Sequence, residues 1–141
     1  MAEQGFRVAL VVCDGIGRLV STVVRQAAYR VVQERPDEVF LVDTGMLLAD
    51  QPEALEVVQK HPVIVVDGCR PHCATVMLEG KGFTPTATIY TRDVVAQEKL
   101  SLAGEQRRGL QEKGMRLVEA IAQRVIEQVD LLVAEEMVST L

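Results

Sequence analysis

A β-branched run that stops on Asp-Gly and turns at once into a helix constrains this chain more than any other feature. It reads Val63-Ile64-Val65-Val66-Asp67-Gly68-Cys69-Arg70-Pro71-His72-Cys73-Ala74. Consecutive Val and Ile without polar alternation predict a strand covered on both faces, and such strands belong to parallel sheets. Gly68 permits the tight turn out of the strand. Pro71 suits the first turn of the next helix, where its missing N–H is not needed.

The rest of the chain repeats this alternation. A first strand is predicted over 6–12, followed by the loop Cys13-Asp14-Gly15-Ile16-Gly17. Leu19, Val20, Val23, Val24, Ala27, Ala28, Val31 and Val32 then recur at helical spacing until Arg35-Pro36-Asp37 stops them. A short strand covers 39–42, and residues 46–49 are apolar without a clear period. Asp50 and Glu53 have the spacing of a capping box ahead of a helix over 51–60. After the central strand, 62–66, come a helix over 71–80 closed by Gly80 and Gly82, and a strand over 86–90. Residues 92–114 are polar, and a last helix spans 110–136 with Leu117, Val118, Ile121, Val125, Val129 and Leu132 on one face.

Strands alternating with helices predict an α/β fold, a three-layer Rossmann-like or flavodoxin-like open parallel sheet with helices on both faces and right-handed crossovers. We expect a single domain over residues 1–141. With the strand order 2-1-3-4, the ends of the first and third strands are neighbours. Cys13, Asp43, Cys69 and Cys73 then share the carboxyl edge of the sheet, where open α/β sheets build their sites.

Composition narrows the function classes. A net charge of −5 argues against a nucleic-acid footprint, and the absence of Trp with 4% aromatics argues against stacking platforms for single strands. No apolar run approaches the length needed to span a bilayer, so no membrane partner is expected. The start Met1-Ala2-Glu3-Gln4-Gly5 has no basic segment of a signal peptide, and we expect a cytoplasmic protein. Three cysteines in a reducing compartment point to metal binding or thiol chemistry rather than a disulfide framework.

If Cys69 lies at a helix start, Cys73 stands one turn further along the same side. Two thiolates so placed can grip one soft ion, and Cys13 adds a third from the neighbouring strand end. Thiolate-rich ligation favours zinc over magnesium or calcium. The helix N-terminus would favour the thiolate form of Cys69. His72, inside the same spacing, is within reach as a ligand, while His61 is expected on the opposite edge, facing solvent. Two other readings use the same residues. One is a thiol-dependent enzyme or sulfur or redox carrier with Cys69 as nucleophile and Cys73 or Cys13 resolving. The other is a small-anion binding module built from the loops 13–18 and 67–71. Cysteines at strand ends also occur as plain buried hydrophobes, and Arg107-Arg108 reads as a solvated face.

The combination of Cys13, Gly15 and Gly17 with Val66-Asp67-Gly68-Cys69-Arg70-Pro71-His72-Cys73-Ala74 resembles the DGC domain, a family of small bacterial and archaeal proteins named for the central Asp-Gly-Cys. The resemblance covers roughly residues 8–90. It implies zinc binding through four cysteines, with no established biochemical role. Carried over, it makes Cys13, Cys69 and Cys73 three of the ligands. The fourth position falls near Asp43, at the end of the second strand. This chain departs from the family there, and the resemblance leaves an Asp43 oxygen, His72 or water as the fourth donor.

Overall fold

The computed structural model describes residues 5–13, 17–68 and 72–141. In chain order the elements are β1 (Val8–Val12), α1 (Leu19–Glu34), β2 (Val39–Leu41), α2 (Thr44–Leu48), α3 (Pro52–Lys60), β3 (Val63–Asp67), α4 (Cys73–Gly80), β4 (Ala87–Tyr90), α5 (Thr91–Glu98) and α6 (Glu112–Ser139). The strands form one parallel sheet in the order β2-β1-β3-β4. This is the doubly wound arrangement expected from the alternating pattern, and the order reverses between β1 and β3. Every residue of β1 and β3 is buried, which explains why neither run alternates polar with apolar.

Right-handed crossovers place α1 on one face and α3 and α4 on the other. Helix α6 packs along α1. The apolar stripes Val23, Val24, Ala27 and Val31 of α1 and Leu117, Val118, Ile121 and Val125 of α6 are all buried. Each such Val, Leu or Ile contributes about 1.5–3 kcal/mol by leaving water. Polar ties fix the ends of this pair: the Arg35 guanidinium donates to both oxygens of Asp130 at 3.2 Å. On the opposite face, Lys81 at the end of α4 donates to the Leu48 carbonyl at 2.9 Å and to Asp50 at 2.7 Å, joining α4 to the turn between α2 and α3.

Four local readings are corrected. Residues 46–48 belong to α2, with Ala49 as its C-cap; the helix is capped at its start by Asp43 and is too short to show a period. Asp50 does not open a capping box, because it takes a left-handed φ of 57° and spends its carboxylate on Lys81. The N-cap of α3 is Gln51, with Pro52 in the first turn. The polar stretch after β4 begins with α5, whose only buried residues are Thr91 and Val94, so most of its surface is polar. Finally, α4 starts at Cys73 rather than near residue 71. Pro71 lies outside the described residues.

The loop from Lys99 to Gln111 ends in a cap for the longest helix. Glu105 Oε1 accepts the Gln111 N–H at 2.6 Å, bringing a carboxylate to the N-terminus of α6. Glu105→Ala is expected to cost about 1 kcal/mol, read as a lower urea midpoint with an unchanged slope. An unchanged midpoint would show that solvent replaces this cap without loss.

Candidate thiol site at the carboxyl edge of the sheet

Cys13 follows β1 directly and stays in the ladder, its N–H donating to the Val66 carbonyl at 3.2 Å. The side chain is 5% exposed. Its sulfur receives the Gly68 N–H at 3.2 Å and lies 3.9 Å from Ser21 Oγ of α1. The two strand ends therefore meet through a backbone donor aimed at sulfur. Only glycine allows this approach: a Cβ on residue 68 would lie 2.6 Å from Val20 Cγ1 and 2.9 Å from Cys13 Sγ.

Asp67 does a different task in the same turn. Its carboxylate is buried at the end of β3, on the α4 side of the sheet. Oδ1 accepts the N–H groups of Ala74 at 3.0 Å and Thr75 at 3.4 Å, and Oδ2 accepts the Thr75 hydroxyl. The N-cap residue of α4, His72, makes no side-chain cap bond, so Asp67 satisfies the helix start from the strand. It sets where α4 begins, and hence where Cys73, its first residue, stands.

Cys73 is exposed, yet it shares a cavity of about 230 Å³ with Cys13, closed by Val12, Thr44, Leu48 and Met77. Two cysteines from separate strand-to-helix junctions thus face one space. His72 takes a left-handed φ of 53° and lays its ring against Tyr90, centroids 4.6 Å apart. Asp43 Oδ1 accepts the Met46 N–H at 3.1 Å and caps α2. Its residue lines a neighbouring cavity of about 250 Å³ that also includes Val12 and Thr44. Cys69, the thiol expected to complete the set, and Asp14, Gly15 and Ile16 of the first loop lie outside the described residues. Among the described residues, no three His, Cys, Asp or Glu side chains come together as a metal site.

The chain matches the DGC domain over residues 9–130. It belongs to the DGC domain family. No curated protein and no solved structure matches it.

In this DGC domain the Asp-Gly pair is explained by position: Asp67 caps α4 and Gly68 clears room for Cys13. The sequence alone marks both as turn residues. A buried carboxylate is a tertiary fact, though Thr75, eight residues on, was its available clue. Ser21 and Thr22 are polar positions inside the buried stripe of α1, and Ser21 touches the Cys13 sulfur. The expected helix start at Cys69 is revised, since the first residue of α4 is Cys73 and the N-terminal field of that helix acts there. His61 is half-buried rather than facing solvent, its ring 5.2 Å from Phe40. Arg107 is exposed as expected, but its guanidinium lies 3.9 Å from where a Cβ on Gly17 would be, beside the loop that follows Cys13. Among the described residues, no helix is long and apolar enough to cross a membrane.

Proposed function

We propose that this DGC domain binds a thiophilic metal ion, zinc before others, at the carboxyl edge of its sheet. Cys13 and Cys73 are the ligands that the cavity between them supports, with Cys69 as the third and Asp43, His72 or water as the fourth. The observation that carries the reading is the shared cavity of Cys13 and Cys73, with the Gly68 N–H directed at the Cys13 sulfur. A donor so placed stabilises thiolate charge and orients the ligand, as outer-shell partners of metal ligands do. Asp43 already serves as a cap through one oxygen, so ligation would use the same carboxylate for two tasks. With an open position, bound zinc would supply Lewis acidity or a binding point for a donor atom. The small number of cysteines and the acidic charge fit a reducing, cytoplasmic setting without nucleic-acid partners.

The exposure of Cys73 at a helix start favours a second reading, in which it is the reacting thiol and Cys13 the resolving one. One titration separates the two. Reduced protein is expected to bind one zinc per chain, and the affinity should fall as pH drops because each thiolate must stay deprotonated. Cys13→Ser and Cys73→Ser should each weaken binding at least about tenfold, and zinc should protect both residues from alkylation. Zinc affinity unchanged in both variants, with Cys73 alkylated much faster than Cys13 near neutral pH, would replace the metal reading by the thiol reading.

A further inference from the structure

His72 departs from what the residue before a helix normally does. An N-cap residue ordinarily takes extended backbone and turns a side-chain oxygen onto the first amides of the helix. His72 does neither: it sits at φ 53° and ψ 50° and makes no side-chain cap bond. The left-handed region is costly for a residue with a Cβ and persists where the surroundings over-determine it. Two anchors surround this position. The His72 ring packs on Tyr90, with centroids 4.6 Å and planes 36° apart. Asp67 holds the other side of the turn, accepting the Ala74 amide at 3.0 Å and the Thr75 amide at 3.4 Å. Asp67 and Tyr90 are the last residues of β3 and β4, and they are partners in the sheet register. Cys73 is therefore the residue between a neighbour tied to β4 and a neighbour tied to β3.

We propose that Tyr90 is a positioning residue for Cys73, and that His72 is the arm between them rather than a metal ligand. His72, Cys13 and Cys73 are all described, and they do not come together as a group that could hold an ion. The imidazole instead spends its contact on Tyr90, and that contact fixes the backbone from which Cys73 starts. A thiol held in place before its ligand arrives lowers the ordering cost of binding. Tyr90 thus acts on the thiol site without touching what the site binds. The role of this arm in zinc affinity rests on the metal reading, whereas the placement of Cys73 does not.

The test reads two quantities in the reduced chain: amide hydrogen exchange without metal, and zinc affinity. Exchange of the Ala74 amide is taken relative to Val65, which reports opening of the core. Tyr90→Leu removes the ring face and should raise that ratio about fivefold. Tyr90→Phe keeps the face and should behave as the parent does. His72→Asn keeps a residue that tolerates the left-handed region and removes the imidazole, so it should match Tyr90→Leu. Both variants should weaken zinc about fivefold. The double variant should be no weaker than either single one, because the two substitutions break the same contact. An Ala74 amide as protected in Tyr90→Leu as in the parent would overturn the role of Tyr90. A loss of zinc affinity in His72→Asn that adds in full to that of Tyr90→Leu would overturn the arm and make His72 a ligand. If the parent chain binds no zinc, the metal reading fails by its own titration, and the exchange ratios still decide for or against Tyr90.

Discussion

Asp67→Ala is expected to lower the unfolding free energy by about 3 kcal/mol, the largest effect of any single polar substitution proposed for this chain. The carboxylate is 2% exposed and accepts three donors, the Ala74 and Thr75 amides and the Thr75 hydroxyl. Alanine leaves those groups at a helix start without their partner, and the Ala74 amide is in a buried position. Asp67→Asn keeps an oxygen for the amides but loses the charge at the helix N-terminus, so it should cost about half as much. Thr75→Val removes one bond only and should cost about 1 kcal/mol. Urea denaturation of the three variants gives the ranking. A loss for Asp67→Ala no greater than for Thr75→Val would mean that the carboxylate does not hold α4 in place.

Gly68→Ala comes second, at about 2 kcal/mol, the range for forcing an extra carbon into a packed core. The new methyl would press on Val20 Cγ1, Val24 Cγ2 and the Cys13 sulfur. Val20 and Val24 are short, stiff side chains on a helix and cannot swing away. Either α1 shifts or the Cys13 sulfur does, and both change the thiol site. The stability loss should therefore come with weaker zinc binding and faster alkylation of Cys13. Val20→Ala in the same chain should recover part of the stability, as expected for neighbours that couple. Gly80→Ala is the control, because a Cβ there meets nothing within 4 Å and its cost should be near zero. A Gly68→Ala protein as stable as the parent, with Cys13 equally protected, would show that the turn relaxes at little cost.

What could be read from the chain, and what could not, divides along physical lines. The unbroken apolar runs Val8–Val12 and Val63–Val66 announce buried parallel strands, and the wide apolar stripe of α1 announces its packing face. From these the shared edge of Cys13, Asp43 and Cys73 follows, whereas the strand order 2-1-3-4 is an assumption that the structure bears out. Short or solvated elements left no such trace. Helix α2 has five residues, and α5 buries only Thr91 and Val94, so neither could outweigh its polar neighbours in a periodicity argument. The start of α4 is not legible in the sequence, because Pro71 is a good first-turn residue whereas the helix is set by a carboxylate from β3. Glu105 and Asp50 take partners that sequence spacing does not bring together, Gln111 and Lys81.

The unequal depth of the two thiols has a consequence for traffic. Cys13 sits behind the strand ends while Cys73 opens to solvent at the head of α4. Under the metal reading, an arriving ion meets Cys73 first and reaches Cys13 only afterwards, and departure runs in the reverse order. If Cys13 and Cys73 hold a metal, a competing thiol from another molecule would reach Cys73 without entering the core, while Cys13 would be shielded. The inner sulfur would then bear mainly on how tightly an ion is held, and the outer one on how quickly it changes hands.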